Sequence, residues 1–177
     1  MGSAIISDCG QYRYRLERRD VFGDFATAVI MVNPSTADAT ENDATIRKLI
    51  GFRDRWGWGH LLVGNLFAYR STDVAQLGKA CDPIGPENDY HLWQIINEAQ
   101  QVVAAWGPTR KQPKALRKRW ETVANIVQTL RKPLLSIGEP AKCGHPKHPL
   151  MLPYALELQR WDGPARLTPP TQREEGR

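Results

Sequence analysis

Six consecutive residues, Asn33-Pro34-Ser35-Thr36-Ala37-Asp38, gather an amide, two hydroxyls and a carboxylate directly after an apolar run. A side-chain amide carries one acceptor and two donors, enough either to tie off loose backbone groups or to present a hydrogen-bonding edge to a ligand. Asp38, with Glu41 and Asp43 behind it, is the type of group that serves as a general base, while Asp43 is equally suited to cap a helix. A second amide, Asn65, ends another apolar run, and Arg70 follows in the polar stretch after it. The segment Lys142-Cys143-Gly144-His145-Pro146-Lys147-His148-Pro149 packs a thiol, two imidazoles and two ammonium groups into one loop. Two uses fit it: a zinc site of Cys143, His145 and His148, or a histidine that donates to a developing anion. The zinc reading lacks a fourth ligand and a regular spacing, so no metal is expected.

Charge narrows the partner. Lys and Arg number 24 against 19 Asp and Glu, a formal net charge of +5, which favours an anionic partner and nucleic acid in particular. The cations crowd at Arg110, Lys111, Lys114, Arg117, Lys118 and Arg119. Either a solvated helix face or a phosphate-contacting surface fits this run, with Lys114, Arg117, Lys118, His145 and Lys147 as the nucleic-acid-binding candidates. No Gly-x-x-x-x-Gly-Lys-Ser/Thr cradle occurs, and no cofactor is expected. Three cysteines, widely spaced and odd in number, argue against a disulfide framework. No apolar stretch nears the roughly 20 residues of a membrane span, and residues 1–10 lack a signal-peptide plan, so a cytoplasmic monomer is expected.

These groups need elements to hold them. Tyr12, Tyr14 and Leu16 alternate with Arg13, Arg15 and Glu17, the mark of a half-exposed strand, and Asp8-Cys9-Gly10 supplies a turn, so a hairpin is expected there. Residues 25–32 read as a strand buried on both faces, stopped by Asn33-Pro34. Ile46, Leu49 and Ile50 have helical spacing behind Asp43. Residues 60–67 form the next strand, residues from 87 a helix with Leu92, Ile95 and Ile96 on one face, and 102–106 a third strand. A helix over 113–130, apolar through Leu116, Trp120, Val123 and Val127 with the basic residues opposite, precedes a fourth strand at 134–137. Alternating strands and helices imply a parallel sheet, with ligands at the carboxyl ends of its strands. Residues 1–160 read as one domain and 161–177, rich in proline and polar residues, as a disordered tail.

Val29 to Ser35, followed by Asn42 to Lys48, resembles a family of uncharacterised bacterial and phage proteins, a domain of unknown function with a Met-x-Asn-Pro-Ser-Thr-Ala-Asp motif. The likeness runs from residue 12 to 152. More distantly, the chain resembles the uracil-DNA glycosylase superfamily. Met31 to Ser35 is similar to the Gly-Ile-Asn-Pro-Gly motif of its mismatch-specific branch, and Asn65 to Ser71 to an Asn-x-x-Lys-x-Arg-Pro segment of its thermophilic branches. Residues 102–107 match a strand ending in Leu-Gly, and His148-Pro149-Leu150 matches a terminal His-Pro-Ser loop.

This resemblance implies a three-layer α/β fold with a central, mostly parallel four-stranded sheet flanked by helices, here preceded by the hairpin. It implies that Asn33 holds an attacking water, that Asn65 reads a flipped base with Pro34, Ser35 and Arg70 around it, and that His148 steadies the leaving base. Asp38 stands as the further catalytic candidate. Ser35 replaces the motif's last glycine, Leu150 replaces the serine, and the four cysteines of the iron-sulfur branches are missing. The resulting expectation is hydrolysis of an N-glycosidic bond of a modified or damaged base in DNA or a nucleotide. The alternative is a non-catalytic nucleic-acid-binding or base-sensing module.

Overall fold

The computed structural model describes residues 2–21 and 23–164. The apolar run before Asn33 forms β3 (Ala26–Met31), with every residue buried. It lies at the centre of a seven-stranded mixed sheet containing β1 (Gly2–Ile6), β2 (Arg13–Arg19), β4 (His60–Asn65), β5 (Gln101–Ala104), β6 (Leu134–Ile137) and β7 (Leu158–Arg160). The strand order is β1-β2-β4-β3-β5-β6-β7. The β4-β3, β3-β5 and β5-β6 pairs are parallel, and the other three pairs are antiparallel. The sheet is therefore wider than the four strands expected. The N-terminal hairpin extends it from β4, and β7, too short to show an apolar period, extends it from β6.

Each face of the sheet is covered. Ile46, Leu49 and Phe52 of α1 (Ala44–Trp56) pack on Val29, Met31 and Val63. On the opposite face Leu92, Ile95 and Ile96 of α2 (Asn88–Glu98) and Val123 and Val127 of α3 (Arg119–Thr129) pack on Ala28, Ile30 and Val102. Fully buried side chains of this size contribute about 1.5–3 kcal/mol each, so the alternation along β3 anchors the whole assembly. Gly64 sets how closely α2 approaches, because a Cβ there would sit 2.7 Å from Leu92 Cδ2.

Three expectations need correction. The strand read as half-exposed, β2, is buried along most of its length, Arg13, Arg15 and Arg18 included. It runs inside the sheet rather than at its rim, and its guanidinium groups find carbonyl and carboxylate partners. Arg18 donates to the backbone oxygens of Asp38 and Glu41, and Arg15 to both oxygens of Glu98. The helix expected over 113–130 begins only at Arg119. Before it, residues 109–118 form short 3-10 turns at Thr109–Lys111 and Lys114–Leu116. Arg117 donates to Gln112 O and Arg110 O, folding the segment back on itself, which also spares the crowded cations the repulsion of helical i,i+4 spacing. Finally, Trp161 is no part of a disordered tail. It is buried, its backbone N–H donates to Leu134 O at 2.9 Å and its indole N–H to Gly144 O at 2.8 Å. The remainder of the expected tail, 165–177, lies outside the described residues.

No helix among the described residues is long and apolar enough to cross a membrane.

Candidate functional site: the crevice above the parallel strands

The chain leaves β3 toward α1 on one face and leaves β5 toward α3 on the other, and β3 and β5 are neighbours. A reversal of this kind opens a crevice at the carboxyl ends of the strands, where open α/β sheets bind ligands. Four loops surround it: residues 32–43, 66–87, 105–118 and 138–157.

Asn33 joins the first two loops. Its Nδ2 donates to Ser71 O at 2.7 Å and to Pro34 O at 3.1 Å, while the Ser71 N–H donates to Pro34 O at 2.9 Å. Both amide protons are thus committed, and Oδ1 is the remaining polar atom of the side chain. Pro34 is buried, and Ser35, Arg70 and Ser71 line an open cleft of about 460 Å³ with Thr36, Gly10 and Gln11. Arg70 is anchored there through Gly10 O. Asn65 ends β4 in register with Met31 and is 1% exposed. Its Oδ1 accepts from Arg13 at 3.4 Å, and its buried Nδ2 has no partner among the described residues.

Asp38 is spent on its own turn. Oδ1 accepts from the backbone N–H groups of Thr40 and Glu41 and from the Thr40 hydroxyl. Those backbone donors hold its carboxyl below the ordinary aspartate range. Asp43 likewise caps α1 by accepting from Ile46 N–H at 2.8 Å.

The third and fourth loops meet at Gly107 and His148. Gly107 has φ +74°, a left-handed turn that favours glycine, and a Cβ there would meet His148 Cβ at 3.4 Å, an ordinary contact distance. His148 caps the 3-10 turn Pro149–Met151, its Nδ1 accepting from Leu150 N–H at 3.3 Å. That bond puts the ring proton on Nε2. Burial pushes the imidazole below its ordinary range, Lys111 adds to this, and Asp43 opposes it. A neutral ring with an Nε2–H donor results, within electrostatic reach of both the α1 cap and the 109–111 turn.

The other expected residues divide. His145 is buried against Trp120, with Nε2 3.2 Å from Thr109 Oγ1 and a pKa lowered by burial, so it braces the 105–118 loop rather than facing solvent. Lys114 and Lys118 are exposed and Lys147 is half-buried, whereas Arg117 is tied to two backbone oxygens. Cys143 is exposed while His145 is buried, and among the described residues no group of three His, Cys, Asp or Glu side chains is placed to hold a metal. Another cleft, about 730 Å³ between Trp120, Trp161 and Leu134, lies at the opposite end of the sheet, where β6 begins.

Asn33, Asn65, Arg70, Gly107 and His148 all fall within residues 13–150, which match the family described as "Protein of unknown function (DUF1643)". The chain belongs to that family. No curated protein matches it, and no solved structure does. The DUF1643 crevice also rests on residues that sequence reasoning passed over. Arg13, 3% exposed, donates to Ala37 O at 2.6 Å as well as to Asn65, and burial lowers its pKa to about 10, so it stays charged at neutral pH. Asn88 donates to Asn65 O and Leu66 O, and Arg119 to Leu66 O and the Asp89 carboxylate. The visible signal for Arg13 was an arginine in an otherwise apolar-alternating strand. Asn88 looked like an ordinary helix-terminal polar residue, and Arg119 like one more cation of the basic run.

Proposed function

We propose that this chain is a nucleobase-directed enzyme that hydrolyses the N-glycosidic bond of a modified or damaged base in DNA or in a nucleotide, in a crevice of the uracil-DNA glycosylase kind. One observation carries the reading: Asn33, Asn65 and Gly107 each lie at or just past the carboxyl end of one of three adjacent parallel strands, and His148 neighbours Gly107.

Hydrolysis requires a water oxygen to bond to the anomeric carbon while the carbon–nitrogen bond breaks and its electron pair leaves with the base. Positive character grows on the sugar and negative charge on the base, so preorganised dipoles lower the barrier. Asn33 fits the water, since its fixed Nδ2 leaves Oδ1 to accept a hydrogen bond from it, and the proton the water loses goes to solvent and neutralises the departed base. The His148 Nε2–H fits the departing base, as a neutral donor aimed at developing negative charge. Asn65 offers its unpartnered Nδ2 to a base carbonyl. A base reached in DNA must first leave the stack. Exposed Lys114 and Lys118 then follow the backbone phosphates.

A second reading, a base-sensing module without turnover, is favoured by Asp38 and Asp43, each of which spends Oδ1 on backbone N–H groups. One experiment separates the two. Folded protein is incubated with oligonucleotides carrying uracil, hypoxanthine, hydroxymethyluracil and other altered bases, and abasic sites are scored by alkaline cleavage. The enzyme reading expects abasic product from at least one, lost in Asn33→Ala. Binding to an altered base without product supports the sensor.

A further inference from the structure

Gln112 is 3% exposed, and neither Oε1 nor Nε2 has a hydrogen-bond partner among the described residues. Burying an unpaired amide costs free energy at both ends of the group, so native proteins keep such groups only where something else satisfies them. The backbone around it is fully engaged: its N–H donates to Thr109 O and its carbonyl accepts from Arg117 Nε. The side chain is therefore held in place while its polar atoms are left over.

Its position joins three of the four loops. Residue 113 packs on the loop after β4, where a Cβ on Gly78 would lie 3.1 Å from Pro113 Cγ. Thr109 reaches the loop after β6 through His145, at 3.2 Å. Lys111 stands within electrostatic range of His148. Gln112 thus lies in the loop after β5 between residues that touch the loops after β4 and β6.

We infer that Gln112 is a specificity-determining residue of the crevice, whose carboxamide pairs with a base edge that presents an acceptor beside a donor, such as a ring C=O next to a ring N–H. This rests on the proposed nucleobase reading and adds to it a requirement for that N–H. A carboxamide supplies one donor and one acceptor on adjacent atoms, and a buried amide left unpaired by the wrong ligand rejects it strongly.

The test is calorimetric titration of the full chain with free uracil, 3-methyluracil, hypoxanthine and 1-methylhypoxanthine, in wild type and in Gln112→Leu, which keeps the volume and removes the polar atoms. Wild type is expected to bind at least one unmethylated base about 10-fold or more tighter than its N-methyl partner. Gln112→Leu is expected to abolish that ratio while melting no lower than wild type, since it removes an unsatisfied buried group. Unchanged selectivity in a folded Gln112→Leu protein overturns the inference and leaves the nucleobase reading standing. A lower melting temperature with unchanged selectivity overturns it in favour of a structural role. Failure of wild type to bind any of the four bases overturns the inference, while abasic-site formation in oligonucleotides decides the nucleobase reading separately.

Discussion

The side-chain amide of Asn33 is clamped to the main-chain oxygen of Ser71 at 2.7 Å, which makes the loops after β3 and β4 one unit. With a second bond to Pro34 O, both donors point at carbonyls. Asn33→Ala is expected to lose roughly 1–3 kcal/mol of stability, two net hydrogen bonds' worth. Asn33→Asp is expected to be less stable than Asn33→Ala, because a carboxylate would face two carbonyl oxygens. Thermal denaturation of the pair checks the order, and an aspartate variant as stable as wild type would refute the clamp.

Much of the scaffold could be read in the sequence, because apolar runs at 26–31 and 60–65 and helical spacing at 46, 49 and 52 report burial that the structure repeats. Asn33 and Asn65 stood out since polar residues at the ends of buried strands are costly without a task, and His148 through its place in the thiol- and imidazole-rich loop 142–149. Arg13 and Asn88 did not, because their partners are backbone carbonyls distant in sequence, nor did Gln112, because its burial depends on how the loops pack, and no local pattern encodes either. The basic segment misled for a related reason. Its residues have helical spacing, yet Arg117 turns to the carbonyls of 110 and 112 and the chain follows it.

Asp38 offers a direct choice between base and turn residue. Asp38→Asn keeps Oδ1 as acceptor for Thr40 and Glu41, and turnover is expected to stay within about 10-fold of wild type; positioned acid–base groups contribute 10²–10⁴-fold, so a loss of that size would make Asp38 the base. Asp38→Ala is expected to lower the melting temperature slightly through the lost turn bonds to Thr40 and Glu41.

Burial lowers the pKa of both His145 and His148 below the unfolded value. The unfolded chain then binds more protons than the folded one as pH falls, so the stability these neutral rings contribute is complete above about pH 6.5 and declines as pH drops through that value toward their folded pKa. Melting temperature is expected to fall from pH 7 to pH 5, and His145→Gln combined with His148→Gln to flatten the fall. An equal slope in the double variant would contradict the neutral-ring assignment.

Salt dependence separates the exposed cations from the structural one. Lys114→Ala and Lys118→Ala are each expected to reduce the slope of log binding constant against log salt by about 0.7–0.9 if the group meets a phosphate. Arg117→Ala is expected to lower melting temperature instead, through the two carbonyls it leaves unpaired. A reversed pattern would place Arg117 on the nucleic acid.

The central claim, that Asn33 and His148 serve the breaking of a base–sugar bond, is tested most directly by mass-spectrometric detection of free base from altered-base oligonucleotides and nucleotides. Wild type is expected to release at least one base, Asn33→Ala to lose release by about 100-fold or more, and His148→Gln to be slowed by about 10²–10³-fold. No free base from any substrate with folded wild-type protein, or release unchanged in Asn33→Ala, would contradict the account.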